Sequence, residues 1–358
     1  MAVLVPDATR ATFVSPMVEG VVELLLEAKL HAGDVHLLIA GGLHRPPRSV
    51  ELTQLLGQAE GHFPVHVHDA DDTRLVGIGT TRCGTPVELS PLLLRSHTLI
   101  VISGITPHYF AGWTGGIKGI VPGAAGRATI TANHRLAVDP TRPDGLHPAC
   151  REGALRGNPV AADLAEAAAR VPASPFLVNV VIGRDGDPRG LVTGSVPAAH
   201  RAGLRLARRL IRLRVKRNPL VLVAAGEPGR ERDWIQAHKL VRQGATAVAD
   251  GGTLIALAAC PDGVGSATLL DWFGVDPSRL AAEVAGRYTL HGHTALAIRA
   301  LLRRIRVILV SRLDPGIVRL MGMTPAASLA EALDLAAQAL PRGTPGLVLP
   351  RAGALLIQ

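Results

Sequence analysis

The sequence predicts an α/β fold in which two domains each contain a mainly parallel sheet flanked by helices. The first observation is a series of short apolar runs bounded by turn residues, a pattern typical of strands buried on both faces. These runs are VHLLIAGG (35–42), HTLIVISG (97–104), PFLVNVVIG (175–183), NPLVLVAAG (218–226), GTLIALAAC (252–260) and RVILVS (306–311). The second observation is that helical patterns such as SVELTQLLGQAEG and PVAADLAEAAARV separate the runs, as connections between parallel strands require.

The length of the chain and the order of these patterns indicate two domains. At 358 residues the chain is too long for one average hydrophobic core. The alternation of strands and helices starts again after a basic segment, which places the boundary near residues 213 to 218. We therefore expect domains over 1–215 and 216–358, with ligands bound in the cleft between them. The pattern leaves open whether the last ~15 residues pack back on the first domain.

The composition indicates a globular protein of the cytoplasm. Hydrophobic residues make up 47% and charged residues 19%, and no run near the ~20 residues needed to cross a bilayer is free of charged and turn residues. The opening MAVLVPDATR has no basic segment followed by a long apolar one, so we expect no secretory signal and no membrane association. The three cysteines, Cys83, Cys150 and Cys260, form neither a metal-binding spacing nor a disulfide framework.

The positive charge predicts an anionic partner. The formal net charge is +9 and the isoelectric point is about 10.4. Aromatic residues are only 3% of the chain, which disfavours the stacking platforms that single-stranded nucleic acids need. The densest basic run, Arg201–Arg217, has the spacing of a surface helix with one charged face and one Leu/Ala face. A small anionic ligand therefore explains the charge better than a nucleic acid, although a basic nucleic-acid binder remains a competing hypothesis.

The glycine-rich segment GWTGGIKG (112–119) is the first candidate for a ligand loop. It is not a P-loop, because no Ser or Thr follows Lys118. A glycine-rich turn can still present backbone N–H groups to a phosphate, and Lys118 could add charge or a covalent attachment point. On spacing alone, a purely structural loop is the alternative.

Two histidines occupy the positions where α/β sheets collect ligands. His44 and His108 each follow a predicted buried strand, at its carboxyl end. The pairs in HVHD (66–69) and HGH (291–293) could each give two metal ligands, but no third ligand has an evident spacing. In DWIQAHK (233–239), Gln236 and Lys239 lie three residues apart and so share one face of a helix.

Together these segments resemble the nickel-pincer-nucleotide-dependent lactate racemase family. The resemblance extends in order over nearly the whole chain, and the spacing of His108, Lys118 and His134 is its most specific part. The segments are GGLHRP, HYFAGWTGGIKGIVPG, ANH, TGSVPAAHRAG, QAHK and DGGTLIALAACPDG.

The resemblance implies a racemase or epimerase of a 2-hydroxy acid, with a cofactor that holds nickel. The cofactor is pyridinium-3-thioamide-5-thiocarboxylic acid mononucleotide, and proteins that synthesise it and insert nickel would be partners of this chain. By matching position, Lys118 would attach the cofactor and His134 would bind the nickel. His44 and His108 would be the acid/base pair for a proton-coupled hydride transfer. The remaining implied contacts are Asp7, Gly115 and Gly116 with the cofactor, and Arg10, Gln236, Lys239 and His293 with the substrate.

The residue types agree with the chemistry that the resemblance implies. Sulfur and imidazole ligands in a square plane suit Ni(II). Racemisation through a planar 2-keto intermediate needs a base on each face, and imidazole titrates in the required range. His293 appears where lactate racemases tend to carry a tryptophan, so the substrate is expected to be larger or more polar than lactate. A non-catalytic nucleotide-binding homologue is the alternative, although it would need no base on each face.

Overall fold

The computed structural model describes residues 1–7, 11–226 and 230–358. These residues form seventeen strands and eleven helices. The strands are β1 (Ala2–Pro6), β2 (His36–Ala40), β3 (Val65–Val67), β4 (Val76–Thr80), β5 (Pro86–Leu89), β6 (Leu99–Ile105), β7 (Pro107–His108), β8 (Gly112–Trp113), β9 (Pro175–Ile182), β10 (Pro188–Ser195), β11 (Arg212–Leu213), β12 (Asn218–Ala224), β13 (Val248–Leu257), β14 (Arg306–Val310), β15 (Thr324–Ala326), β16 (Gly346–Leu349) and β17 (Leu356–Ile357). The helices are α1 (Ala11–Glu27), α2 (Ser49–Leu56), α3 (Pro91–Arg95), α4 (Arg127–Arg135), α5 (Pro159–Ala168), α6 (Val196–Ile211), α7 (Trp234–Ala245), α8 (Leu280–Gly286), α9 (Gly292–Leu302), α10 (Pro315–Leu320) and α11 (Leu329–Ala337). Each of the six apolar runs in the sequence overlaps a strand.

Two sheets organise these elements, and they confirm the predicted fold class. The first sheet has the strand order β10-β9-β6-β1-β2-β3, in which only β9 and β10 pair in the antiparallel direction. The second has the order β15-β14-β13-β12-β16, and all of its pairs are parallel. Both sheets carry helices, as a parallel sheet with two apolar faces requires.

The hydrophobic core follows from the alternation of side chains along each strand. On β1, Leu4 packs with one cluster and Val3 and Val5 pack with another, so that both faces of the first sheet are buried. The second sheet has its own cluster, which includes Val221, Leu254 and Leu309. This arrangement explains why the predicted strands are continuously apolar rather than alternating.

The basic segment that we predicted as one surface helix has two parts. Helix α6 ends at Ile211, and its inner face buries Ala199, Leu204 and Ala207. Arg212–Leu213 then pairs in parallel with Leu356–Ile357, so that the end of the chain returns to the middle of the sequence. Leu356 packs in a cluster with residues of the first sheet. Across the described ranges, no helix is long and apolar enough to cross a membrane.

Candidate active site

Neighbouring strands of the first sheet deliver three of the predicted site residues to the same edge. Strand β1 pairs in parallel with both β2 and β6. Asp7 directly follows β1, His44 lies in the loop after β2, and His108 lies just beyond β6. Because the carboxyl ends of parallel strands point the same way, these three side chains leave the sheet side by side.

A cavity of about 520 Å³ lies at this edge, which is within the usual size range of ligand sites. Its wall contains residues from two parts of the sequence, 6–134 and 232–291. The sequence-predicted residues that line it are Asp7, His44, His108, Gly115, Lys118, His134, Gln236 and Lys239. Gly116 is the next residue of the same loop, and Arg10 lies outside the described residues. The cavity thus brings most of the predicted site together.

His44 belongs to a chain of hydrogen bonds that joins the two parts of the cavity wall. Its Nδ1 bonds to a carboxylate oxygen of Asp7, and its Nε2 lies 3.5 Å from the amide nitrogen of Gln236. The ammonium group of Lys239 donates to the amide oxygen of Gln236 at 2.8 Å, so the amide NH₂ faces His44. A carboxylate can only accept a hydrogen bond, so His44 Nδ1 is the donor to Asp7. Neutral His44 therefore carries its proton on Nδ1 and its lone pair on Nε2.

The N-terminus of α7 positions the two residues contributed by the second part of the chain. The Asp233 side chain caps this helix by accepting from the backbone N–H of Gln236 at 2.9 Å. Gln236 is therefore fixed in the first turn, and Lys239 follows three residues later on the same face. The cap explains how a helix end brings both side chains to the cavity.

His108 has different surroundings from His44. The backbone N–H of Ala111 donates to its Nδ1 at 3.2 Å. The ring stacks on Tyr109 at a centroid distance of 5.3 Å and meets the Phe110 ring edge-on at 4.7 Å. These contacts hold the imidazole in one orientation, with Nε2 as the candidate atom for proton transfer.

The buried side-chain amide of Asn179 anchors the glycine loop, residues 112–119. Asn179 accepts at Oδ1 from the backbone N–H of Gly116 at 3.1 Å and from the hydroxyl of Ser103 at 2.6 Å. Gly115 has φ 81°, in the left-handed region that favours glycine. A short 3₁₀ helix over Gly116–Gly119 follows and carries Lys118 on the cavity wall.

His134 occupies the last turn of α4 and is oriented by an amide. Its Nδ1 lies 3.2 Å from the Asn133 side-chain oxygen. The Asn133 NH₂ group donates to Asp163 at 2.9 Å and to the carbonyl of Val160 at 3.1 Å, which fixes the direction of the amide. The Nδ1 of His134 is therefore the protonated nitrogen, and Nε2 carries the lone pair. The His134 side chain lines the cavity and is partly exposed there. Burial of the ring, followed by the charge of Lys118, holds the pKa of His134 well below the usual range.

The two histidines of the HGH segment have different environments. His293 is 1% exposed, and both of its ring nitrogens lie 2.7 Å from tyrosine hydroxyls, those of Tyr109 and Tyr288. His291 lines the cavity instead, and its Nδ1 lies 2.8 Å from the Ser266 hydroxyl. Burial, then the charges of His44 and Lys239, lower the pKa of His291 to about 3. The sequence singled out His293, whereas the structure brings His291 to the cavity.

Ion pairs at the edge of the cavity balance its guanidinium groups. Arg45 pairs with Glu51 at 2.6 Å and with Asp262 at 3.2 Å. Arg232 pairs with Asp233 at 3.2 Å and with Asp262 at 3.7 Å. The hydrogen bond from Arg45, opposed by burial, lowers the pKa of Glu51 to about 2. Asp262 thus connects the loop after β2 to the second part of the chain.

Among the described residues, the side chains alone do not form a metal site. Across residues 1–7, 11–226 and 230–358, no group of three or more His, Cys, Asp or Glu side chains could hold a metal ion. His66 of the HVHD segment bonds instead to His36, with 3.1 Å between ring nitrogens.

Comparisons with known sequences identify similarity along most of the chain. The family model for the lactate racemase N-terminal domain matches residues 1–144, and the model for the lactate racemase C-terminal domain matches residues 218–354. The lactate racemase of Thermoanaerobacterium thermosaccharolyticum is 28% identical over 321 residues, which cover 87% of this chain and 74% of that protein. The lactate racemase of Lactiplantibacillus plantarum is 27% identical over 325 residues, which cover 84% and 72%.

Solved structures show the same relationship. The lactate racemase apoprotein from Thermoanaerobacterium thermosaccharolyticum matches with a TM-score of 0.86 at 26% identity, covering 100% of this chain and 86% of that one. A crystal structure of a Thermotoga maritima protein matches with a TM-score of 0.80 at 19% identity, covering 100% and 93%. The second match shows a shared fold.

Proposed function

Because this chain belongs to the lactate racemase family and is therefore an isomerase, we propose that it racemises or epimerises a 2-hydroxy acid with a nickel-pincer nucleotide. The observation that carries the proposal is the single cavity whose wall holds His44, His108, Lys118 and His134 together with Gln236 and Lys239. Its substrate is a small anionic 2-hydroxy acid. The proteins that synthesise the cofactor and insert nickel are its partners.

The cavity residues fit the pincer nucleotide. His134 offers one oriented imidazole with a lone pair on Nε2 and would hold the nickel through that nitrogen. Lys118 supplies an amine for the covalent link. Glycines on the wall let a flat group approach the backbone closely, and they are Gly41, Gly42, Gly104, Gly115, Gly119, Gly123 and Gly265. When bound, the nickel-pincer nucleotide supplies the acceptor and donor of hydride at the substrate carbon.

His44 is well arranged to accept a proton at Nε2. Its Nδ1 hydrogen is directed at Asp7, whose negative charge stabilises the imidazolium that forms when Nε2 takes the hydroxyl proton of the substrate. Asp7 thus acts through His44, which differs from the cofactor contact that the family resemblance implies for this residue. Both contacts involve the carboxylate and can be separated by experiment.

His108 is the acid/base group on the opposite face of the substrate carbon. Because its Nδ1 accepts from the backbone N–H of Ala111, its neutral ring carries the hydrogen on Nε2 and serves there as the proton donor. The two bases are needed because the planar 2-keto acid presents one face to each, and return of hydrogen on the second face inverts the centre. Tyr109 and Phe110 fix the His108 ring, so its Nε2 has a defined direction. A defined position of the base is what makes general acid/base catalysis efficient.

Gln236 and Lys239 hold the substrate carboxylate, and Arg10 joins them. The Lys239 ammonium already lies 2.8 Å from the Gln236 amide oxygen, so both groups point at one place on the wall. A charge-assisted bond to the carboxylate fixes which carbon lies between the histidines. This assignment places the active site between the two halves of the chain.

The test is to express the protein together with cofactor-synthesis and nickel-insertion proteins, measure its intact mass and nickel content, and assay both enantiomers of several 2-hydroxy acids. We expect a nucleotide-sized adduct on Lys118, loss of that adduct in Lys118→Ala, loss of nickel in His134→Ala, and interconversion of at least one pair of enantiomers. Loaded protein that interconverts no 2-hydroxy acid would instead support the non-catalytic nucleotide-binding alternative. An adduct on another lysine would refute the role of Lys118.

A further inference from the structure

Ser266 and His291 form a polar pair on the cavity wall that the proposed catalytic roles do not use. The Ser266 hydroxyl lies 2.8 Å from His291 Nδ1, and both residues line the cavity. His291 precedes α9 and has φ 71°, a left-handed conformation that is rare for a residue with a β-carbon. Such strained positions are concentrated at functional sites, and here the strain directs an imidazole toward the cavity.

The four groups on the reacting carbon determine which part of the cavity wall the side chain of the substrate meets. Under the proposed function, the carboxylate faces Gln236 and Lys239 and the hydroxyl faces a base. The hydrogen must face the wall with Lys118 and His134. The side chain of the substrate takes the remaining direction, and Ser266 and His291 are a polar pair on the wall that the other three groups leave unused.

The chemistry of the pair selects a hydroxyl rather than a second carboxylate. The low pKa of His291 keeps the imidazole neutral, so it offers hydrogen bonds without a positive charge. The guanidinium groups at this end, Arg45 and Arg232, are both paired with carboxylates. A neutral N–H and a serine hydroxyl suit an alcohol, which can donate and accept in turn.

We propose that Ser266 and His291 bind a hydroxyl group on the substrate's side chain, so that the preferred substrates are 2-hydroxy acids with a hydroxylated side chain. The inference rests on the proposed function and adds the substrate class. It also moves the specificity role from His293, where the sequence suggested it, to His291.

Glycerate and lactate form a matched pair of substrates for the test, because they differ by one side-chain hydroxyl. We expect the loaded wild-type protein to have a kcat/KM for glycerate at least roughly tenfold above that for lactate, since a site that hydrogen-bonds a hydroxyl discriminates against its absence. Malate, which carries a second carboxylate, should be poorer than glycerate. Faster turnover of malate or lactate would overturn the proposal.

Variants of the pair test the residues themselves. His291→Leu and Ser266→Ala should each lower the glycerate-to-lactate ratio of kcat/KM by roughly tenfold. His291→Asn should retain more of this ratio, because asparagine tolerates the left-handed backbone and keeps a side-chain donor. If His291→Leu does not fold, Ser266→Ala still decides, because it leaves that backbone unchanged.

Cofactor loading, measured by intact mass, shows whether a negative result refutes the proposed function or only the role of Ser266 and His291. If fully loaded wild-type protein interconverts no 2-hydroxy acid, the proposed function fails. If it interconverts them but Ser266→Ala leaves the glycerate-to-lactate ratio at the wild-type value, the function stands and the subsite assignment is wrong.

Discussion

The carboxylate of Asp7 decides which nitrogen of His44 can accept a proton. Because a carboxylate only accepts hydrogen bonds, it retains the hydrogen on Nδ1 and leaves Nε2 basic. Gln236 supports the same tautomer from the other side, since its NH₂ group faces Nε2. His44 therefore has an orienting partner at each ring nitrogen before any substrate arrives.

We predict that Asp7→Asn lowers the racemisation rate of loaded protein by roughly 10–100-fold, because a neutral amide stabilises the imidazolium poorly and permits the wrong tautomer. The measurement is kcat at matched cofactor content, with intact mass as the control. Full activity per loaded molecule, accompanied by poor loading, would show that Asp7 serves the cofactor rather than His44.

The HGH segment marks the limit of sequence reasoning at the scale of single residues. Spacing identifies two histidines near a helix start but cannot say which one faces a ligand. That choice depends on one left-handed residue, His291, and on two tyrosine hydroxyls that bind His293. Tyr109 and Tyr288 are far apart in the sequence, so no local pattern contains this information.

At the scale of elements, the glycine loop shows why small residues are needed there. A β-carbon added to Gly115 would lie 2.7 Å from the Ile105 side chain. Such a contact forces movement of a loop that Asn179 holds from below and that carries Lys118. Both the backbone conformation and the close packing therefore favour glycine at this position.

We predict that Gly115→Ala destabilises the protein by about 2–4 kcal/mol, from left-handed strain together with overpacking. Gly84→Ala is the matched control, because Gly84 has φ 84° and no atom lies within 4 Å of an added β-carbon. It should cost only about 1–2 kcal/mol. Urea unfolding of the three proteins compares the free energies, and equal losses in the two variants would argue against tight packing at Gly115.

Strands with continuous apolar runs could be predicted from the sequence, because a strand that is buried on both faces is apolar at nearly every position. The antiparallel strand β10 could not, since PRGLVTGS is exposed or half-exposed along its whole length and has no continuous apolar run. The sequence leaves open that the last residues pack back on the first domain, but it does not predict the strand pair between Arg212–Leu213 and Leu356–Ile357, because its partners are far apart along the chain. Likewise, the orienting chain from Asp163 to His134 arises only in the folded protein.

At the scale of the whole molecule, several contacts join the two halves around the cavity. Arg45 reaches Asp262, His44 approaches Gln236, and the Tyr109 hydroxyl lies 2.7 Å from His293. When the protein folds and these contacts form, histidines that are hydrated in the unfolded chain become buried. His238, at 0% exposure, packs its ring edge-on to Tyr109 at a centroid distance of 4.6 Å.

We predict that the unloaded protein loses stability as the pH falls below about 6.5, the pKa of an unfolded histidine. Burial holds the pKa values of His238 and His293 well below the usual range, so the unfolded state binds protons that the folded state does not. Each such histidine should cost up to about 1.4 kcal/mol per pH unit until its folded pKa is reached, whereas above pH 6.5 both states are neutral.

Urea unfolding at pH 7.5, 6.5 and 5.5 measures this dependence. His238→Phe keeps an aromatic ring against Tyr109 and should make the slope below pH 6.5 shallower by about one proton. A variant whose slope equals that of the wild type would show that His238 is not held neutral in the folded state.

The most direct test of the account is the rate of interconversion by loaded His44→Ala and His108→Ala proteins on the best 2-hydroxy acid, measured in both directions by chiral separation. Two bases on opposite faces of one carbon predict that each variant loses roughly 10²–10⁴-fold in kcat while its nucleotide adduct and nickel content stay at wild-type levels. If either loaded variant interconverts both enantiomers at near wild-type rates, the two-base mechanism is wrong.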